Sequence, residues 1–162
     1  VAVVTNVGLD HRQHLGNTVG EIAREKAAII KPGNRVVTGA TPPALEVVRE
    51  RCQGVGADLT EVTPASLQVT DHGRDGIELT HTFNTAPLTV RTRLIGAFQA
   101  ANVALAVSVC DQLRQTGLVV TADAVVAGCA AASWRGRMQW VDGSPPVVVD
   151  GGHNPDLSLI HI

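Results

Sequence analysis

Short runs of β-branched apolar residues alternate with helical segments in the first third of the chain, and this order constrains the fold most strongly. The runs lie at residues 1–5 and at Val36 and Val37, and a further short strand is predicted at residues 58–62. Continuous short apolar runs of this kind are typical of strands that are buried on both faces. A β-α-β-α order requires crossover connections, so the sequence predicts an α/β fold with a mainly parallel sheet.

The first helical segment carries a lysine on its predicted apolar face. Residues 18–21 form a capping-box pattern that predicts a helix start, and Lys31-Pro32-Gly33 predicts its end. The residues spaced at i, i+4, i+7 and i+8 are Ile22, Lys26, Ile29 and Ile30. This spacing predicts that Lys26 points toward the sheet with the isoleucines. Its amine would then either snorkel to water or meet an anion or a metal-bound group, and burial would favour its neutral form.

The loop after the first strand, residues 6–17, contains an Asp-His pair. The carboxyl ends of parallel strands are where open α/β sheets bind ligands. Asp10, His11 and His14 lie in this loop. Imidazole and carboxylate can bind a divalent cation, although magnesium prefers oxygen ligands. A role in shaping the turn is the other interpretation.

Residues 66–93 show a different pattern, which is rich in threonine and alternates between apolar and polar residues. Ile77 and Leu79, then Leu88 and Val90, follow this alternation, and residues 72–76 form a predicted turn. This pattern predicts antiparallel strands in a small second sheet. Two helices are expected after it, at residues 97–115 and 121–132, and the first is apolar nearly all round, which predicts burial.

Two side-chain amides, Gln99 and Asn102, lie three residues apart near the start of that buried helix. A buried amide without a partner is unfavourable, so each needs a hydrogen bond. Backbone carbonyls of a neighbouring loop are one possible partner. Adenine is the other, because an amide can pair with its amino group and a ring nitrogen.

The end of the chain contains a further strand-and-turn pattern. Residues 147–150 predict a new buried strand, followed by Gly151 and Gly152, whose backbone amides could cradle a phosphate or simply form a turn. A linker is expected near Trp134, where Arg135 and Arg137 either bind phosphate or are solvated.

Composition excludes several function classes. The formal net charge is -2 and aromatic residues make up 2%, which argues against nucleic acid as a partner. No apolar run is long enough to cross a bilayer, which argues against a membrane partner. The three cysteines, Cys52, Cys110 and Cys129, form no CxxC pair, as expected of small apolar residues in a reducing cytoplasm.

Several segments together resemble the folylpolyglutamate synthase/dihydrofolate synthase group of the Mur ligase superfamily. These segments are TNVGLDH (5–11) with Leu15-Gly16, IAREKAAIIKPG (22–33), LIGAFQAANVALA (94–106), RGRMQ (135–139) and VVVDGGHNP (147–155). Phe98 stands where the family usually has a histidine, and Ala28 where it usually has a glycine.

The resemblance implies the domain organisation. Residues 1–133 would be the C-terminal part of the P-loop-type central ATPase domain, with its parallel sheet and a small antiparallel sheet. Residues 134–162 would be a linker and the start of a Rossmann-like C-terminal domain that binds glutamate. The family's P-loop and a magnesium-sharing glutamate precede Val1 in the family's order. The chain is therefore expected to be an internal part of such an enzyme and to be inactive on its own. The family pattern stops after Pro155, so residues 157–162 are not assigned to it.

The resemblance also implies an activity, in which ATP, Mg²⁺ and L-glutamate are used to extend dihydropteroate or a reduced folate through an acyl phosphate. The implied roles are magnesium binding by His11, carbamylation with CO2 at Lys26, adenine binding by Gln99 and Asn102, nucleotide binding by Arg137 and Asp150, and a catalytic position at the ATP phosphates for His153. A cytoplasmic monomer is expected. Which of the two synthases the parent is, or whether it is both, stays open.

Two alternatives remain beside this reading of the sequence. A Mur-type peptidoglycan amino-acid ligase would keep the chemistry and change the substrate, although the TNVGLDH block disfavours it. A noncatalytic nucleotide-binding domain would keep the fold and lose the activity. The function of Lys26 separates this second alternative from a ligase.

Overall fold

The parallel sheet predicted from the first third of the chain is present. The structure is a computed structural model that describes residues 1–9, 15–63 and 67–152. Strands β1 (Ala2–Val4), β2 (Arg35–Thr38) and β3 (Asp58–Glu61) are parallel and lie in the order β1-β2-β3. Helices α1 (Val19–Ala27) and α2 (Ala44–Val55) form the connections between them and pack against each other. This confirms the β-α-β-α prediction.

The middle strand, β2, is buried on both of its faces. Val36 and Val37 are both 0% exposed, and successive side chains of a strand point to opposite faces. Val36 packs into a core with Ile22 of α1 and Val48 of α2. Val37 packs into a second core that includes Val107. The parallel sheet is therefore the middle layer between two apolar cores.

A buried threonine closes the carboxyl end of β2 against β1. The Thr38 side chain is fully buried, and its hydroxyl donates to the carbonyl of Val4 at 2.8 Å. The same hydroxyl accepts from the N–H of Ala40 at 3.1 Å, and Gly39 N–H donates to Val4 as well. These bonds satisfy polar groups that burial would otherwise leave unpaired, and they fix the backbone at the carboxyl edge of the sheet.

The second sheet is antiparallel, as predicted for residues 66–93. Strands β4 (Gln68–Asp71), β5 (Ile77–Phe83) and β6 (Ala86–Thr92) lie in the order β4-β5-β6. A short 3₁₀ helix, Gly73–Asp75, forms the turn between β4 and β5.

The antiparallel sheet is joined to the rest by helix α3 (Gln99–Gln115). The apolar face of the sheet, with Leu79 and Val90, shares the core that contains Val107 of the helix. The imidazole Nε2 of His81 lies 2.8 Å from the hydroxyl of Ser108, and burial lowers the pKa of this histidine. Helix α4 (Ala122–Ala131) packs against β6 and begins at Thr121, which caps it.

The predicted burial of Lys26 is wrong. Helix α1 starts at the predicted capping box but ends at Ala27, before the predicted stop at Lys31. Ile29 therefore lies outside the helix and is 55% exposed, so it no longer extends a helical stripe. The residues of α1 that are buried are Ile22, Ala23 and Ala27, and Lys26 is exposed to solvent.

The predicted strand near residue 147 exists, but its predicted burial is wrong. Strand β8 (Val147–Val149) pairs antiparallel with β7 (Gln139–Val141), and in the part of the chain that is described this hairpin forms a separate sheet. Its three valines are between 44% and 52% exposed because no described element packs over them. The assignment of residues 134–162 to a second domain stays a prediction.

No described helix combines the length and apolar character that a membrane span requires. The three cysteines are free thiols, and Cys52 is buried. Burial raises the pKa of its thiol, which suits an inert apolar residue better than a reactive one.

The Thr38 hydroxyl should contribute measurably to stability. We expect Thr38→Val, which keeps the shape and removes the hydroxyl, to lower the free energy of unfolding by about 1–3 kcal/mol, because buried partners lose a hydrogen bond. Urea denaturation measures this. Thr89→Val, which removes an exposed hydroxyl on β6, is the matched control and should stay within about 0.5 kcal/mol. Equal losses in both variants would contradict the assignment.

The capping carboxylate of α1 should make stability depend on pH. Glu21 accepts from the N–H groups of Asn17 and Thr18, and these bonds hold its pKa below the ordinary value of 4.5. A lowered folded-state pKa means that the stabilisation is present above the unfolded-state pKa and is lost as pH falls through the folded-state pKa. Thermal midpoints between about pH 3 and about pH 6 should fall less steeply in Glu21→Gln than in the parent chain. Parallel curves for the two proteins would contradict this.

Candidate functional site

The carboxyl edge of the parallel sheet is closely packed. An added Cβ on Gly39 would lie 2.7 Å from the carbonyl oxygen of Thr5 and 3.0 Å from a methyl carbon of Leu105. Only glycine allows the segment after β2 to approach the segment after β1 this closely. Sequence analysis did not single out Gly39 or Thr38, although a glycine directly after a predicted parallel strand is a signal that could have identified them.

Helix α3 runs antiparallel to β2 and carries the candidate residues beyond this edge. At the amino end of β2, Arg35 donates to Gln112 at 3.1 Å and to Gln115 at 2.7 Å, both near the end of the helix. Past the carboxyl end of β2, Leu105 approaches Gly39. The helix start is six residues further on, about 9 Å at the rise of an α-helix. The helix start therefore lies past the ligand-binding edge.

The two amides predicted to need partners are hydrogen-bonded to each other. Asn102 Nδ2 donates to Gln99 Oε1 at 2.9 Å. Gln99 is 5% exposed, whereas Asn102 is exposed to solvent. A buried glutamine thus orients a solvent-facing asparagine. Asn102 keeps its carbonyl oxygen and one N–H for a ligand, which is the acceptor and donor pair that adenine complements.

Phe98 lies next to this pair, at the position where the family usually has a histidine. Its ring packs against Gly96, whose φ of 101° and crowded surroundings leave no space for a side chain. Phe98 therefore fills space beside the helix start and offers no imidazole there.

Lys26 is exposed, and its amine makes no hydrogen bond or ion pair within residues 1–9, 15–63 and 67–152. The burial on which its predicted reactivity depended is absent, so its carbamylation stays a prediction. His11 and His153 lie outside the described residues, and their predicted roles stay predictions as well.

Arg137 and Asp150 meet at one turn beside the β7–β8 hairpin. The two carboxylate oxygens of Asp150 accept from the N–H of Met138 at 2.7 Å and of Gly152 at 2.6 Å. Gly151 donates to the carbonyl of Gly136, and an added Cβ on Gly151 would lie 2.7 Å from a guanidinium nitrogen of Arg137. Asp150 therefore fixes the turn that places Arg137 against Gly151. The guanidinium of Arg137 borders a cavity of about 370 Å³.

Within the described ranges, no three histidine, cysteine, aspartate or glutamate side chains are close enough together to hold a metal ion. His11, which was predicted to bind Mg²⁺, lies outside those ranges, so its role stays a prediction.

Known proteins resemble this chain over nearly its whole length. It is 39% identical over 160 residues to a probable bifunctional folylpolyglutamate synthase/dihydropteroate synthase of Haloferax volcanii, covering 96% of this chain and 19% of that protein. It is 35% identical over 161 residues to dihydrofolate synthase/folylpolyglutamate synthase of Bacillus subtilis, covering 96% of this chain and 37% of that protein.

A solved FPGS–AMPPCP–folate complex superposes with a TM-score of 0.89 at 30% identity, covering 98% of this chain and 40% of that one. The chain thus spans between about a fifth and two fifths of the length of these relatives. Their names confirm the resemblance seen in the sequence, and the superposition confirms the α/β fold with its parallel and small antiparallel sheets.

Residues 1–110 match the family model of the Mur ligase middle domain. The match contains all three parallel strands, the antiparallel sheet, and the part of α3 that carries Gln99 and Asn102. Because it extends over more than half of the chain, this protein belongs to the Mur ligase family.

Proposed function

We propose that this chain is part of an ATP-dependent ligase that joins L-glutamate to the carboxylate of a reduced folate or of dihydropteroate. Membership of the Mur ligase family and the names of the relatives support this proposal. The observation that carries it is the hydrogen-bonded pair of Gln99 and Asn102, which lies past the carboxyl edge of the parallel sheet. That is where α/β sheets bind nucleotides.

Asn102 is the residue that recognises adenine in this proposal. Gln99 is buried and holds the asparagine amide in one orientation, so little rotamer freedom remains to be lost on binding. The free carbonyl and N–H of Asn102 then pair with the adenine amino group and a ring nitrogen. Arg137, fixed beside Gly151, contributes a bidentate donor for the nucleotide, and Asp150 supports it by holding the turn.

The reaction has two chemical steps. A carboxylate oxygen of the folate attacks the γ-phosphorus of ATP, the bond to the β-phosphate oxygen breaks, and ADP leaves. The neutral amine of glutamate, having lost a proton, then attacks the carbonyl carbon of the acyl phosphate. The tetrahedral intermediate loses a second amine proton and expels phosphate, which leaves with that proton, and an amide remains. Water must be excluded while the acyl phosphate exists, because hydrolysis would waste it.

In this proposal, Lys26 is carbamylated and the carbamate supplies an anionic group near the γ-phosphate. Its amine would react with CO2 and lose a proton to give a carbamate. Its exposure in this chain leaves the amine accessible to CO2 and to other parts of the enzyme. His11 as a magnesium ligand and His153 near the phosphates complete the proposed set. A cytoplasmic monomer is proposed on the family resemblance.

Asn102→Ala should weaken nucleotide binding by this chain. A bidentate amide–adenine pair contributes about 1–3 kcal/mol, so the Kd for ADP should rise roughly 5- to 150-fold. Titration followed by NMR chemical shifts measures weak binding of this kind. The control is Gln53→Ala, an exposed amide on α2, which should leave the Kd unchanged. An unchanged Kd in Asn102→Ala would remove adenine recognition from this residue.

Lys26→Ala should separate a catalytic lysine from a structural one. In the chain itself, we expect a change in unfolding free energy of less than about 0.5 kcal/mol, because the side chain is exposed. In a ligase of the relatives' full length, the same substitution should abolish folate-dependent glutamate ligation. Lys31→Ala, an exposed lysine just past α1, is the matched control and should retain activity.

Added acetate should partly restore the activity of Lys26→Ala, because it can replace the missing carbamate. Full activity of Lys26→Ala without acetate would contradict the carbamate and favour a noncatalytic role for this helix.

A further inference from the structure

An arginine-lined cleft lies between the antiparallel sheet, α4 and the β7–β8 hairpin. Its larger part is a cavity of about 570 Å³ lined by Arg74, Asp75, Arg91, Thr92, Arg93 and Ala130. The cavity of about 370 Å³ that borders Arg137 shares Arg74, Arg93 and Ala130 with it. The two are therefore parts of one cleft, called the arginine cleft below.

The guanidinium groups of the arginine cleft are available to a ligand. Arg74, Arg91 and Arg93 are exposed, and within the described ranges none of them donates a hydrogen bond or forms an ion pair. Asp75 lines the same cavity and Glu78 lies opposite Arg91 in the strand register, but neither is paired with an arginine there. Three guanidinium groups without a hydrogen bond or ion pair in the described ranges thus line one cavity, with Asp75 and Glu78 nearby.

The backbone sets the spacing of the Cα atoms from which two of these side chains extend. Val90 and Thr92 are buried, whereas Arg91 and Arg93 alternate with them and are exposed. Two residues along an extended backbone separate the two Cα atoms by about 6.7 Å. Gly76 holds the turn containing Arg74 against this strand, because an added Cβ there would collide with the carbonyl of Thr92 and lie 2.7 Å from the Cα of Arg93.

The remaining walls favour an elongated ligand. Ala130 of α4 presents only a methyl group, which leaves the cleft wide. Arg74 lies over the ring of Trp140 at 5.2 Å, which orients its guanidinium at the boundary between the two cavities. An anion in the cleft therefore meets three arginine side chains and an aromatic ring at one end.

We propose that the arginine cleft binds a γ-linked oligoglutamate chain, such as the tail of a folate that has already received glutamates. This inference rests on the proposed function. Each γ-linked residue carries one free α-carboxylate, and five backbone bonds separate successive residues, so the carboxylates repeat at roughly 6 Å when extended. That repeat is close to the spacing of about 6.7 Å between the Cα atoms of Arg91 and Arg93. Adjacent phosphates of a nucleotide are joined through one oxygen and lie much closer together.

Binding of the tail by paired carboxylates and arginines would depend on tail length. A guanidinium binds a carboxylate through two parallel hydrogen bonds, so each additional matched pair strengthens binding. Free glutamate carries two carboxylates, whereas a γ-linked chain of three carries four over a greater length and can contact Arg91, Arg93 and Arg74 together. The cleft would thus retain long-tailed products more strongly than short ones.

Isothermal titration of this chain with tri-γ-L-glutamate, free L-glutamate and inorganic triphosphate tests the proposal. We expect the trimer to bind at least about tenfold more tightly than free glutamate. The double variant Arg91→Gln, Arg93→Gln should lose about tenfold in trimer affinity. The control removes two exposed charges near α1, Arg24→Gln with Lys31→Gln, and should stay within about twofold. Circular dichroism confirms that each variant is folded.

Four results would count against the inference. Equal losses in the control variant would mean non-specific charge attraction, and equal binding of free glutamate would mean that the repeat is not recognised. Tighter binding of triphosphate at the same arginines would assign the cleft to phosphate. A variant with lysine at both positions that binds the trimer as tightly as the parent would overturn bidentate recognition.

This assay measures binding without ligation. Absence of ligation in the full-length enzyme would count against the proposed function alone. Absence of trimer binding by an active enzyme would count against this inference alone.

Discussion

The burial of β2 on both faces determines where the functional side chains of this protein can lie. Val36 and Val37 belong to two different cores, so helices must cover the sheet on both sides. The helices and their loops then leave only the strand ends open to ligands. At the carboxyl end, Thr38 and Gly39 lock the backbone by hydrogen bonds and close contact. The surface past this edge is therefore rigid, which suits the positioning of a nucleotide.

Helix α3 connects this rigid edge of the sheet to the candidate site. Arg35 anchors one end of the helix to β2, and Leu105 packs against Gly39 near the other end of the strand. The position of Asn102 is thus set by packing several residues away, and its orientation by Gln99. The turn at Asp150 is held differently, because one carboxylate accepts hydrogen bonds from two backbone N–H groups. Both predicted nucleotide-binding groups are held by neighbours that are themselves fixed.

The sequence predicted the element order well, because each strand and helix is local and strongly patterned. Alternation of residues identified the antiparallel sheet, and the capping box located the start of α1. The pairing of Gln99 with Asn102 agrees with their spacing, although the partner of each amide could not be chosen from spacing alone. The arginine cleft could not be predicted, because Arg74 and Arg93 are distant in sequence and meet only through the close approach at Gly76.

The two wrong predictions of burial share one cause, which is that burial depends on structure that local sequence does not identify. Lys26 was placed in a stripe that required the helix to continue past Ala27. The valines of β8 were predicted to be buried because the run is apolar. They are exposed because, among the described residues, β7 and β8 form a separate two-stranded sheet.

This hairpin also affects how the chain would behave in solution. Strand β8 has one edge paired with β7, and within the described residues its other edge has no strand beside it. An exposed β-branched edge is a template for backbone pairing with another extended segment. Self-association of the chain at high concentration would therefore involve the free edges of this hairpin, which include Val147–Val149.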